Sequence, residues 1–100
     1  MNLREYLAAA NIPMFEASLF EDEPSTGHVH IRSDKAGWDW FIAEYDPASG
    51  RAFGLVNGAY LEYGDIDIDE VMAAAPDARV VEDFIPAPLA EIHRGCGDPY

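Results

Sequence analysis

The run WDWFIAEY, residues 38 to 45, is apolar on both of its alternating sides. With a period of two, Trp38, Trp40, Ile42 and Glu44 fall on one side, and Asp39, Phe41, Ala43 and Tyr45 on the other. A strand that is largely apolar on both sides belongs in the middle of a sheet. The turn residues of DPASGR follow it, then AFGLVN, then Gly58 and AYLEYG. Three strands joined by such short loops predict an antiparallel meander. Before them, HVHIRS alternates, with Val29 and Ile31 on one face and His28, His30 and Arg32 on the other. It reads as a half-buried strand beside the meander, joined to it by the turn DKAG.

Helical signals lie at the ends of the chain. In NLREYLAAANIP, Asn2 is a capping residue, Leu3, Tyr6, Leu7 and Ala10 share one face, and Pro13 ends the helix. MFEASLF is ambiguous, and EDEPSTG is a polar loop. DIDIDEVMAAAP reads as a strand end feeding a short helix, capped by Asp67 or Asp69 and ended by Pro76. ARVVEDF predicts a further short strand, APLAEIH a last short helix, and RGCGDPY a loose tail from about residue 94. The expected class is α+β. Residues 1–100 form one domain, a meander of four to five strands with short helices covering one face of the sheet.

The acids outnumber the bases, 19 against 6, for a net charge of -13. Such a surface repels nucleic acid and anionic membrane, so neither is an expected partner. Cations or a basic protein surface are, and the same charge also serves plain solubility. Hydrophobic residues at 49% are enough for a core, which argues against disorder. Cys96 is the single cysteine, so no internal disulfide forms, and MNLREYLAAA lacks the apolar run of a signal peptide. A soluble, cytoplasmic protein is expected.

Candidate sites must be weighed against ordinary structure. Asp65, Asp67 and Asp69 match the first three ligand positions of an EF-hand loop, but Glu70 stands where its glycine should be and Pro76 where its glutamate should be. Helix capping explains these acids better, and partner-facing charge comes second. His28 and His30 share a strand face, yet His93 and Cys96 lie far along the chain and no zinc-type spacing appears. No metal or cofactor is therefore expected. Glu44 and Glu62 stand on meander strands and would perturb each other if brought close; salt bridges to Arg32 and Arg51 are the plainer alternative. Ser18, Ser25, Ser33, Ser49 and Cys96 sit in no nucleophile motif. Trp38 and Trp40 read first as core, and their acidic neighbours argue against base stacking.

The segments WDWFIAEYDPASGRAFGLVNG, LEYGDIDIDEV and VVEDFIPAPL together resemble the bacterial domain of unknown function 2958 family. The likeness spans roughly residues 28 to 92 and rests on Trp38, Trp40, Glu44, Phe53, Gly54, Gly58, Glu62, Gly64, Glu70, Glu82, Asp83 and Phe84. The family tends to place an aromatic after the equivalent of Gly64, where this chain has Asp65. The resemblance implies no reaction. It implies an association with mobile elements and phages, and so an anti-defence role.

Two functions compete. The first is a non-enzymatic interaction protein whose acids dock on a basic, nucleic-acid-binding surface of a host protein. Its contact residues would be Asp65, Asp67, Asp69, Glu70, Glu82 and Asp83, with Glu21, Asp22 and Glu23. The second is a small enzyme or small-molecule binder with a pocket near Trp38, Trp40, Glu44 and Glu62.

Overall fold

The computed structural model of the chain describes residues 2–14 and 26–97. Helix α1 (Leu3–Ala9) begins at Asn2 in a capping box: the Asn2 side chain accepts from the Glu5 N–H at 2.8 Å, and Glu5 accepts from the Asn2 N–H at 3.1 Å. The helix ends at Ala9, short of Pro13, because Ala10 is already extended. A short strand β1 (Thr26–Gly27) precedes the main sheet, which runs β2 (Val29–Ser33), β3 (Trp38–Asp46), β4 (Arg51–Asn57) and β5 (Leu61–Asp67). Helix α2 (Ile68–Ala74), strands β6 (Arg79–Val80) and β7 (Ala87–Pro88) and helix α3 (Leu89–Gly97) complete the order.

The fold is α+β, with the expected meander at its centre. The main sheet has five antiparallel strands in the order β5-β4-β3-β2-β6, and β1 pairs with β7 in a second sheet of two strands. ARVVEDF contributes only the two residues of β6 to the sheet. The expected loose tail is helical as far as Gly97, because α3 continues through Arg94 and Cys96. Among the described residues, no helix is long and apolar enough to cross a membrane.

The sheet is covered on both faces, not on one. Helices α1 and α2 cover the first face, where Leu3, Leu7, Ile68 and Val71 pack with Ile31, Trp40, Ile42 and Ala52. On the second face Leu89 and Ile92 of α3 pack with Phe41, Ala43 and Leu55. Both sides of β3 are apolar, so each needs a cover. The β1–β7 pairing holds the start of α3 against this second face. At Gly27 an added Cβ would lie 2.8 Å from the end of Ile92.

A bulge in β3 breaks the simple alternation. Ile42 pairs with Gly54 and Glu44 with Phe53, which leaves Ala43 as the extra residue. Past that point the faces exchange. Tyr45 joins the Trp40 and Ile42 cluster, while Glu44 is buried on the side of Phe53 and Phe41. Gly54 sits where the bulge brings the backbones close: a Cβ there would fall on the Phe41 carbonyl oxygen.

Arg4 fastens α1 to the rest of the molecule. Its guanidinium donates to the Pro47 carbonyl at 2.8 Å and pairs with Asp69 at 3.2 Å. The Tyr45 hydroxyl beside it, together with Asp69, holds the guanidinium in its charged form. That hydroxyl is buried and makes no hydrogen bond among the described residues.

Candidate functional site

Strand register carries Trp40, Val56 and Glu62 into one row across β3, β4 and β5. Trp38 lies one step further along the same face, its ring centre 5.8 Å from that of Trp40 and tilted 38° to it. It lies over Gly58, where an added Cβ would come within 2.5 Å of the indole. Trp40 is buried and serves the core, as its alternation suggests, whereas Trp38 is 36% exposed. Helix α2 closes the far end of the row with Glu70, Val71 and Ala74. The result is a groove of about 290 Å³ lined by Trp38, Trp40, Glu62, Asp65, Asp67 and Glu70.

Two residue sets that were separate in the sequence therefore meet. The tryptophans and Glu62 came from one expected pocket, and Asp65, Asp67 and Glu70 from the expected partner surface. Glu44 does not join them. The bulge turns it to the opposite face, and β4 lies between its strand and that of Glu62, so these two carboxylates form no pair. Arg51 pairs with Asp65 at 3.2 Å, and Arg32 pairs with Asp34 and Asp39.

The acids of DIDIDE do three different things. Asp65 lies on β5, paired with Arg51. Asp67 caps α2, its side chain accepting from the N–H groups of Asp69 and Glu70 at 3.0 and 3.3 Å. Asp69 lies in the first turn of α2 and pairs with Arg4. Asp65 and Asp67 alone form a row along the strand, because the chain turns into the helix before Asp69. Among the described residues, Glu62 and Glu70 make no ion pair. No group of three or more His, Cys, Asp and Glu side chains among these residues is placed to hold a metal ion.

Glu82 and Asp83 lie beyond β6, at the edge of the sheet remote from β5. Four strand spacings separate those edges, about 19 Å, so these acids lie well away from the groove. Glu21, Asp22 and Glu23 lie outside the described residues. A larger cleft, about 670 Å³, runs between α1, α2 and β6 and includes Leu3, Tyr6, Met72, Val80 and Glu82. Its lining is mainly apolar and brings together no set of like-charged groups.

One constellation was not foreseen. His30 Nε2 donates to Asp39 Oδ1 at 2.6 Å, and Arg32 donates to Asp39 Oδ2 at 2.8 Å. The imidazole stacks on Phe41 at 4.4 Å and meets the edge of Phe84. The signal was available in the hairpin: pairing HVHIRS with the tryptophan strand puts Arg32 opposite Asp39 and His30 opposite Phe41. His30 is thus half-buried between partners and is part of the sheet's packing. Cys96 on α3 feels the same carboxylate; burial first, then Asp39, raises its thiol pKa and so lowers its thiolate fraction.

Comparison with known proteins adds no relative: no family model, no curated protein and no solved structure matches the chain.

Proposed function

We propose that this chain is a small acidic interaction protein that docks on a basic surface of another protein through the groove of Trp38, Glu62 and Glu70. The observation that carries the reading is the convergence in one groove of an exposed indole and two carboxylates, Glu62 and Glu70, that make no ion pair among the described residues. An indole face attracts a cation, worth about 0.5–1 kcal/mol at an exposed site, and a carboxylate beside it adds charge-assisted hydrogen bonds. Lysine and arginine side chains have the matching chemistry. The net charge of -13 supplies long-range attraction to the same kind of surface.

The partner we favour is a host protein whose basic surface otherwise holds nucleic acid. Asp65 and Asp67 stand about 6.8 Å apart along β5, of the order of the phosphate spacing on a nucleic-acid strand. The resemblance to a family associated with mobile elements and phages points the same way, toward a protein of host defence.

The test is capture of partners from host lysate, followed by association kinetics over a salt series. Binding should weaken steeply as the Debye length falls from about 10 Å at 0.1 M to about 3 Å at 1 M. The double variant Glu62→Gln/Glu70→Gln removes charge that no ion pair among the described residues uses, so its circular dichroism should be unchanged. Its association rate should fall several-fold, up to about tenfold. Free duplex DNA should not bind, and should compete where the partner's groove is a nucleic-acid site. A double variant that associates as fast as the parent at every salt concentration would sink the reading and leave the charge as solubility.

A further inference from the structure

We infer that the outer edge of β5 accepts an extended, basic segment of the partner as an added strand of the sheet. This rests on the docking reading above and adds to it the form that the partner takes. The two edges of the sheet differ. The β6 edge is only two residues long, which is how sheets commonly blunt an edge. The β5 edge runs seven residues, Leu61–Asp67, and among the described residues no strand lies against it. Its outward N–H and C=O groups form a template for backbone pairing.

Charge decides which strand can use that template. Glu62, Asp65 and Asp67 lie along the edge. A second copy would bring its own Glu62, Asp65 and Asp67 to an edge that is already acidic, on a chain of net charge -13, and long-range repulsion opposes that. A basic strand meets complementary charge at Glu62, and at Asp65 and Asp67 beside their internal partners Arg51 and the start of α2. Protection alone would need charge without exposed rings, yet an exposed ring stands on this edge. Trp38 shares the groove face with Glu62 but lies two strands further in, on β3. On the other face Tyr63 is 47% exposed and stacks on His93 of α3 at 5.5 Å. Aromatic anchors within a polar rim are the usual composition of a recognition surface. Successive side chains of an incoming strand would point alternately to the two faces, meeting Glu62 on the groove face and Tyr63 with Asp65 on the other. Between Glu62 and Ile66, Gly64 leaves open space: an added Cβ there meets nothing within 4 Å. A bulky side chain of the added strand fits over it.

The experiment uses the full chain, isotope-labelled, and two synthetic probes. One is a nine-residue peptide alternating arginine and threonine; its twin carries the same charge but is N-methylated at every backbone nitrogen. The unmodified peptide should bind at low salt and slow amide exchange on the outer edge of β5 at least about tenfold, with cross-strand contacts to β5 protons. The twin cannot donate to the ladder and should bind at least about tenfold more weakly. Equal binding by the twin, or unchanged β5 exchange with the peptide bound, overturns strand addition and leaves the acidic docking reading standing. Failure of both peptides to bind at low salt overturns strand addition and the docking reading together.

Discussion

Gly54 and Gly64 face each other directly across β4 and β5, but a methyl group would meet very different surroundings at the two. At Gly54 it would strike the Phe41 carbonyl and crowd the Ala43 N–H at 3.3 Å, both backbone groups that cannot swing aside. At Gly64 it would meet open space. Gly54→Ala should therefore destabilise by about 3 kcal/mol, the upper range for overpacking. Gly64→Ala should change stability by no more than about 0.5 kcal/mol, or raise it slightly by restricting the unfolded chain. Urea unfolding of the two variants decides the matter. A Gly54→Ala midpoint equal to the parent's would mean that β3 does not carry the bulge at Ala43. Pattern reading could not reveal that bulge. Ile42, Ala43, Glu44 and Tyr45 alternate acceptably without it, and the clash that demands glycine at position 54 exists only after β3 and β4 have paired. The face of Glu44 was therefore misassigned for a reason outside its own strand.

Among the elements, α2 depends most on one side chain. It has seven residues, too few to be stable alone, and Asp67 satisfies two of its first N–H groups. Asp67→Ala should cost about 1 kcal/mol, and Asp67→Asn, which caps as well, should cost little. Thermal melting of the pair separates capping from charge. If the Asn variant falls as far as the Ala variant, the charge of Asp67 matters more than its hydrogen bonds. The cap was readable from the sequence because its signal is local, an aspartate just before an apolar, helix-forming run. The meander was readable for the same reason, with turn residues between alternating segments. The groove was not. Trp38 and Glu70 meet only because β3, β4 and β5 align in register and α2 folds back across them. The second cover of the sheet was also hidden, since APLAEIH carries no mark of which face its helix will take.

For the whole molecule, acid sets two electrostatic effects against each other. Protonating carboxylates lowers a net charge of -13, which relieves self-repulsion and favours the folded state. Three aspartates oppose this because their carboxylates hold turns and strands together. Arg32 first, then Arg79, holds Asp34 below the ordinary carboxylate range. The Ser49 hydroxyl and the Ala48 N–H do the same for Asp46 in the β3–β4 turn. The Ser33 hydroxyl and the Lys35 N–H do so for Asp77, joining the end of α2 to the β2–β3 turn at 2.7 and 3.0 Å. Each pKa is lower in the folded chain than in the unfolded one. The stability each provides is thus complete above the ordinary value of 3.8 and is lost as pH falls from there through the depressed folded value. The melting temperature should hold or rise slightly as pH drops from 7 toward 4, then fall below 3.8. Ser33→Ala removes the first cause of the Asp77 depression, so its acid limb should be shallower than the parent's, starting from a lower plateau. Scanning calorimetry between pH 2 and 7 measures both limbs. Parallel acid limbs in parent and variant would show that Asp77 does not hold these two turns together through Ser33.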